Sequence, residues 1–239
     1  MIARTLVLLT VALSCGPLSA HDLEWQKLLL AMLQLRQGLD YEANVDSYME
    51  VFRPDVWNRY RHDEFELEAK RKETIELMKR AVSSFNLKED FIVRTSLDFG
   101  NYDFKNETFP LDGYTESTYF YQSHYPYGSF PDSISVFMKN VNSIRHFGMS
   151  NAKAREFIQT RKDRNGRINR RVYLVLHLRI TGIKSEPDQL HAEITKAWLY
   201  DKPNWTQEIA KFDFTQKPAA PTSQEPMPLN SSTTSAALR

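Results

Sequence analysis

The chain has 239 residues, a formal net charge of +1 and a single cysteine, Cys15. A chain so close to neutral has no overall electrostatic field that would draw it to nucleic acid or to an anionic membrane. We therefore expect no nucleic-acid partner. One cysteine alone cannot build an internal disulfide or a cysteine-ligated metal site.

Residues 1–20 have the pattern of a secretory signal peptide. Arg4 precedes a short apolar run, and the small residue Ala20 closes the segment. The run is too short to span a bilayer, and cleavage after Ala20 would remove Cys15 and leave no thiol. Cys15 could instead be the lipid anchor of a bacterial lipoprotein, but Ala12 stands where such signals usually carry leucine. We expect export, either to the periplasm of a Gram-negative cell or to the extracellular space.

The rest of the chain divides into one domain and a tail. Residues 21–215 contain no further stretch that is long and apolar enough for a transmembrane span, and they suffice for one domain with a substantial core. Residues 216–239 are rich in Pro, Ser, Thr and Ala and poor in large apolar residues. Such a composition predicts a disordered tail.

Helical periodicity dominates the N-terminal third of the domain. Residues 22–37, 44–52 and 63–85 each place apolar side chains three or four positions apart, and Pro54 favours another helix start. Ser150 is typical of the N-cap of a later helix. We expect these helices to pack on a sheet formed by the remaining residues.

Residues 90–111 predict a β-hairpin with a tight turn at Gly100 and Asn101. This register gives one apolar face near the turn, and it sets Asp98 directly opposite Asp103. Two carboxylates about 5 Å apart would suit a retaining glycosidase or contribute to a calcium site. The alternative is an exposed surface pair. Asp98 and Asp103 are the candidate catalytic residues of the sequence.

Residues 113–130 are rich in aromatic side chains, with a strand expected over 117–122 and a loop beyond it. Tyrosines on a loop present flat amphipathic faces that suit peptides or sugars, although such residues more often simply cap the core of the sheet. The candidate ligand-binding residues are Tyr114, Tyr119, Tyr121, His124, Tyr125 and Tyr127.

A second hairpin is expected to pair residues 171–181 with 189–200. A register in which Leu178 faces Ile194 and Leu174 faces Trp198 keeps both faces of this hairpin coherent. Single strands are predicted before and after it, over 133–139 and 209–214.

The basic segment 161–171 surrounds an Asn-Gly turn and has two interpretations. It could contact phosphate groups, or it could be a solvated loop, which the lack of interleaved aromatic residues favours. The histidines share no metal-ligand spacing, and no phosphate-binding loop or nucleophile motif occurs. We therefore expect no metal and no cofactor.

The segments FRPDVWNRYRHDEFELEAKR, at residues 52–71, and YDFKNETFPL, at residues 102–111, carry a resemblance to known proteins. Together they resemble a family of bacterial exported proteins of unknown function, over about residues 45 to 200. The resemblance implies export and a single α+β domain, and it implies no activity, cofactor or catalytic residue.

The sequence thus predicts an α+β domain, with N-terminal helices packed on a mostly antiparallel sheet of about five to seven strands. The favoured function is a non-catalytic periplasmic protein that binds a protein or an envelope polymer through the tyrosine-rich segment. The alternative is a carboxylate-dependent glycan hydrolase that uses Asp98 and Asp103.

Overall fold

A computed structural model describes residues 21–115, 117–124 and 128–215. The predicted signal peptide over 1–20, with the proposed lipid anchor at Cys15, lies outside the described residues, and so does the predicted tail over 216–239.

The described residues form an α+β fold, as predicted. Four of the five α-helices lie in the N-terminal third of the chain. The helices are α1 (Trp25–Leu35), α2 (Tyr41–Phe52), α3 (Pro54–Tyr60), α4 (Glu64–Ser84) and α5 (Asn151–Gln159).

The strands join into one mostly antiparallel sheet. They are β1 (His21–Asp22), β2 (Phe91–Phe99), β3 (Thr108–Asp112), β4 (Tyr119–Ser123), β5 (Ser133–Met138), β6 (His146–Gly148), β7 (Arg171–Ile183), β8 (Gln189–Tyr200) and β9 (Glu208–Asp213). Seven strands follow the order β4-β5-β8-β7-β2-β3-β6, while β1 adds to β2 and β9 adds to β8. The pairs β1–β2 and β5–β8 are parallel.

The helices begin where the sequence supplies local signals. The Asp40 carboxylate accepts a hydrogen bond from the Ala43 N–H at the start of α2, and Asp63 caps α4 in the same way. Pro54 occupies the first turn of α3, where its missing N–H costs nothing. These local signals determine where the helices begin along the chain. Packing determines which side of each helix is buried.

The core lies between the helices and the inner face of the central strands. Leu174, Leu176 and Leu178 of β7 alternate inward and are fully buried, as are Leu28 and Leu29 of α1. Burial of each such side chain stabilises the fold by about 1.5 to 3 kcal/mol relative to exposure. The central strands therefore carry much of the stability of the domain.

The predicted register of the first hairpin is wrong. Asp98 of β2 faces Asp112 of β3, and Phe99 faces Leu111, so residues 100–107 form a longer connection in place of a two-residue turn. Asp103 instead forms an isolated bridge to Thr108, and it does not lie opposite Asp98.

Burial explains the change of register. Phe109 is fully buried whereas Phe104 is 77% exposed, so the chain places Phe109 inside and leaves Phe104 in solvent. Gly100 allows a close approach, because a Cβ atom there would lie 2.7 Å from the Pro110 ring. The glycine is therefore required by strand packing and not by a type II′ turn.

The predicted register of the second hairpin is confirmed only over residues 178–180, between two bulges. Leu178 faces Ile194 as predicted, but beyond the bulge that precedes Leu178, Leu174 faces Leu199 and not Trp198. The extra residue is Thr195, which is 6% exposed and donates a hydrogen bond to Asp90 at 2.7 Å. The bulge shifts the pairing of β7 with β8 by one residue, and the buried Thr195 hydroxyl forms a hydrogen bond there.

Candidate functional site

The structure divides the predicted tyrosine cluster into an inner and an outer group. Tyr119 and Tyr121 are 49% and 63% exposed on β4. Tyr114 is partly buried and packs against the core. His124 lies beside Trp25, with ring centroids 6.0 Å apart. Tyr125 and Tyr127 lie outside the described residues.

Tyr114 is held by its surroundings. Burial raises the pKa of its phenol to about 12, against a smaller lowering effect of a hydrogen bond with Thr95. Its ring lies 6.5 Å from that of Phe120. Tyr114 therefore stays neutral and anchors the start of the aromatic segment.

Strand β4 lies at one end of the strand order, and within the described residues it pairs only with β5. The His124 N–H donates to the Asp132 carbonyl, and the register repeats this pattern at Gln122 and Phe120. In an antiparallel pair the intervening residues direct their N–H and C=O groups the other way. The backbone groups of 119, 121 and 123 therefore face the open edge.

This open edge lacks the usual features that prevent further pairing. Natural edge strands carry charges, prolines or bulges that block the addition of another strand. The sequence of β4 is Tyr-Phe-Tyr-Gln-Ser, without charge or proline, and its pairing with β5 has no register shift. Tyr119 packs on Phe137 of β5, with ring centroids 4.9 Å apart. Among the described residues, the edge thus combines backbone groups that pair with no other strand and tyrosine side chains.

The second predicted site, around Asp98, has a different geometry from the one expected. The Asp98 carboxylate accepts a hydrogen bond from Arg171 at 2.7 Å, and both side chains are more than half exposed. An open cavity of about 510 Å³ is lined by residues that include Asp98, Asp112, Tyr114 and Arg171. The carboxylates that face each other here are those of Asp98 and Asp112.

Asp103 is engaged elsewhere. Its carboxylate accepts hydrogen bonds from the Asn106 side chain and from the N–H groups of Asn106 and Lys105. The Asn106 side chain makes the largest contribution to lowering the pKa of Asp103, and the two N–H groups add to it. These contacts close the turn after Asp103, so the structure does not bring Asp98 and Asp103 together.

Part of the basic segment is used for structure. Arg161 pairs with Asp201, is 7% exposed and stacks on Phe157 at 4.3 Å. Arg170 donates to the Gly100 carbonyl, and Arg171 binds Asp98. These arginines tie the segment to the sheet and to the β2–β3 connection.

A network around Asp90 was missed by sequence reasoning. Its carboxylate accepts hydrogen bonds from Thr195 at 2.7 Å and Arg179 at 3.1 Å, and the His177 Nδ1 atom lies 3.7 Å away. Burial raises the pKa of Asp90, but His177, Thr195 and Arg179 outweigh that effect and hold it below its ordinary value. The bulge at Thr195 creates this network, and no local pattern in the sequence announces it.

A family model for a domain of unknown function, DUF4852, matches residues 40–160. This match covers just over half of the chain. The chain belongs to the DUF4852 family. Comparison with curated proteins found no match, and neither did comparison with solved structures.

The DUF4852 region begins at the cap of α2 and extends to the end of α5. It contains β4 with its open edge, and it contains Asp98 and Asp103. Arg171, which binds Asp98, lies beyond the matched region. The tyrosine edge therefore belongs wholly to the DUF4852 match, whereas the Asp98 site does not.

The described ranges of the DUF4852 protein contain neither a candidate metal site nor a candidate membrane-spanning helix. No group of three or more His, Cys, Asp or Glu side chains there could hold a metal ion. No helix among those residues is long and apolar enough to cross a membrane.

Proposed function

We propose that this DUF4852 protein is an exported, periplasmic binding protein that captures an extended segment of a partner protein by strand addition to β4. The observation that carries the proposal is the open edge of β4, where the backbone groups of 119, 121 and 123 face away from β5. In strand addition, main-chain hydrogen bonds supply affinity and neighbouring side chains supply specificity.

Tyr119 and Tyr121 support the proposal because their exposed rings lie on the same stretch as the free backbone groups. Tyrosine offers large contact area with few rotatable bonds, and it is enriched at interfaces for that reason. An added strand would place alternate side chains beside these two rings. A partner segment with apolar or aromatic residues at alternate positions fits this edge.

The binding test uses a photo-crosslinking amino acid at Tyr119 in the full chain, expressed in cells. We expect a crosslinked protein adduct, and we expect Ser123→Pro to reduce its yield about tenfold, because proline removes an edge donor and disturbs one or two bonds to the partner. The bonds between β4 and β5 do not use the Ser123 N–H, so the sheet should remain intact.

Ser123→Ala is the matched control, since it keeps the backbone donor. A crosslink yield that is the same for Ser123→Pro and Ser123→Ala would contradict strand addition. A crosslinker placed at exposed Phe65 on α4 tests for adducts that form anywhere on the surface.

Export is part of the proposal and has its own test. N-terminal sequencing of the protein from the periplasmic fraction should begin at His21, because the signal pattern ends at Ala20. Labelling with palmitate distinguishes the lipoprotein alternative, in which Cys15 is acylated. Retention of full-length chain in the cytoplasmic fraction would contradict export.

The alternative function, a glycan hydrolase that uses Asp98 and Asp103, requires two carboxylates to act on one bond. Arg171 engages one of these carboxylates and the Asn106 turn engages the other. No observation in the described part of the chain favours this alternative. The hydrolase alternative predicts that the wild-type protein cleaves glycans and that Asp98→Asn abolishes the cleavage. We expect no glycan cleavage by the wild-type protein.

A further inference from the structure

A second concave surface lies near the opposite end of the sheet from β4. It is a groove of about 500 Å³ between the β2–β3 connection and α5. Its apolar lining consists of Tyr102, Phe104, Phe109, Ala154 and Ile158. Volumes of about 300 to 1,000 Å³ are typical of small-molecule sites.

The walls of the groove are fixed and apolar. Phe109 is fully buried, and its ring lies 4.8 Å from that of Tyr102 and 5.8 Å from that of Phe157. The Tyr102 hydroxyl donates to the Met149 carbonyl at 2.7 Å, so its polar atom is already satisfied. The groove therefore offers an apolar lining without a free hydroxyl on Tyr102.

Phe104 differs from the other apolar residues of the groove because it is largely exposed. It is 77% exposed and its ring meets that of Tyr102 edge-on at 5.0 Å. Apart from this contact the Phe104 ring stays in water, so it adds little to the stability of the free protein. A ligand in the groove would cover it.

The rim of the groove is polar along one side of α5. Asn151, Arg155 and Gln159 lie four residues apart and line it together. The Asn151 amide donates to Glu107 at 2.9 Å. Arg155 is exposed and makes no hydrogen bond or ion pair with any other residue that the structure describes. Within the described ranges, Arg155 thus keeps an unpaired positive charge directly beside the apolar groove.

We propose that this groove binds a single-chain amphipath, an alkyl chain with a carboxylate headgroup. The alkyl chain lies between Phe104 and Ile158, and the carboxylate pairs with Arg155. Arginine matches a carboxylate with two parallel N–H donors, and the walls match a methylene chain. The site is separate from the β4 edge, so either proposal can fail without the other.

The test is calorimetric titration of the full chain with octanoate, decanoate and dodecanoate below their micelle concentrations. We expect saturable binding of one ligand per chain that tightens about fourfold per methylene, until the groove is full. Phe104→Ala should weaken decanoate binding about tenfold, and this exposed substitution leaves the core intact. Phe65→Ala, which removes an exposed ring on α4, is the matched control and should change nothing.

The headgroup is tested with Arg155→Gln and with decanol. We expect the substitution to weaken decanoate about threefold, because the pair is exposed to solvent, and to leave decanol binding unchanged. Equal weakening of both ligands would overturn the headgroup assignment. The ligand site would be overturned if none of the three carboxylates bound saturably. It would also be overturned if Phe65→Ala and Phe104→Ala weakened decanoate binding equally. The groove would then be left as a surface for partner side chains.

Discussion

The two edge strands of the sheet, β6 and β4, differ in length and in the burial of their side chains. Strand β6 at one end is three residues long, and its central residue, Phe147, is buried in an aromatic cluster with Phe99 and Phe109. Strand β4 at the other end is five residues long, and its side chains alternate between exposed and partly exposed. One end is closed by shortness and packing, whereas at the other no described strand pairs with the outer side of β4.

This difference separates residues that hold the fold from residues that are free to bind. At β6 the buried Phe147 ring contributes to stability, so its substitution should be costly. At β4 the tyrosines are about half exposed or more, so we expect them to contribute less to stability, and their exposure calls for another explanation. The proposed strand addition supplies that explanation.

The largest effect is expected at the closed end. Phe147→Ala removes a ring that is 1% exposed and packs against Phe109 at 5.2 Å. We expect a loss of about 4 kcal/mol in the free energy of unfolding, from lost burial and from the cavity left behind. Urea denaturation followed by circular dichroism measures it. A loss below about 1 kcal/mol would mean that packing does not close this end.

An intermediate effect is expected between the two ends, at the Asp90 network. Asp90 lies just before β2, and its partners lie on β7 and β8. Asp90→Asn removes a carboxylate that is 15% exposed and leaves Arg179 without its charge partner. We expect a loss of about 2 kcal/mol at neutral pH. Denaturation at several pH values provides the measurement.

The pH dependence of this loss has a definite sign. The pKa of Asp90 lies below its ordinary value in the folded protein, so its stabilisation is fully present above about pH 4 and is lost as the pH falls through the folded-state pKa. The wild type and Asp90→Asn should therefore converge in stability as the pH falls below about 4. A difference that stays constant down to pH 2 would show that Asp90 acts through shape and not through charge.

The smallest effect is expected at the open end. Tyr121→Ala changes a side chain that is 63% exposed, and we expect the free energy of unfolding to change by less than about 0.5 kcal/mol. The same urea denaturation measures it. A loss above about 1 kcal/mol would mean that Tyr121 supports the fold, and its exposure would then no longer indicate binding.

Local patterns predicted the helices and part of the second hairpin. The apolar periodicity of 63–85 and the helix start at Pro54 depend on neighbours within one or two turns, so the sequence carries them directly. The strand alternation that buries Leu178 against Ile194 is equally local to its hairpin. These features needed no knowledge of the tertiary fold.

Features set by distant contacts could not be predicted in this way. The first register depends on whether Phe104 or Phe109 enters the core, and the ring of Phe157 on α5 decides this from 48 residues beyond Phe109. The shift at Thr195 depends on Asp90, which lies 105 residues away. The exposure of Tyr119 and Tyr121 is compatible with strand alternation, but only the strand order shows that β4 is an edge.

The central claim, that β4 presents a free pairing edge, is tested most directly by backbone amide hydrogen exchange on the isolated protein. We predict alternating protection, in which the amides of Phe120 and Gln122 exchange slowly while those of Tyr119, Tyr121 and Ser123 exchange freely. NMR spectroscopy resolves the five amides individually. Equal protection of all five in the absence of a partner would show that the edge is already covered, and it would contradict the proposed function.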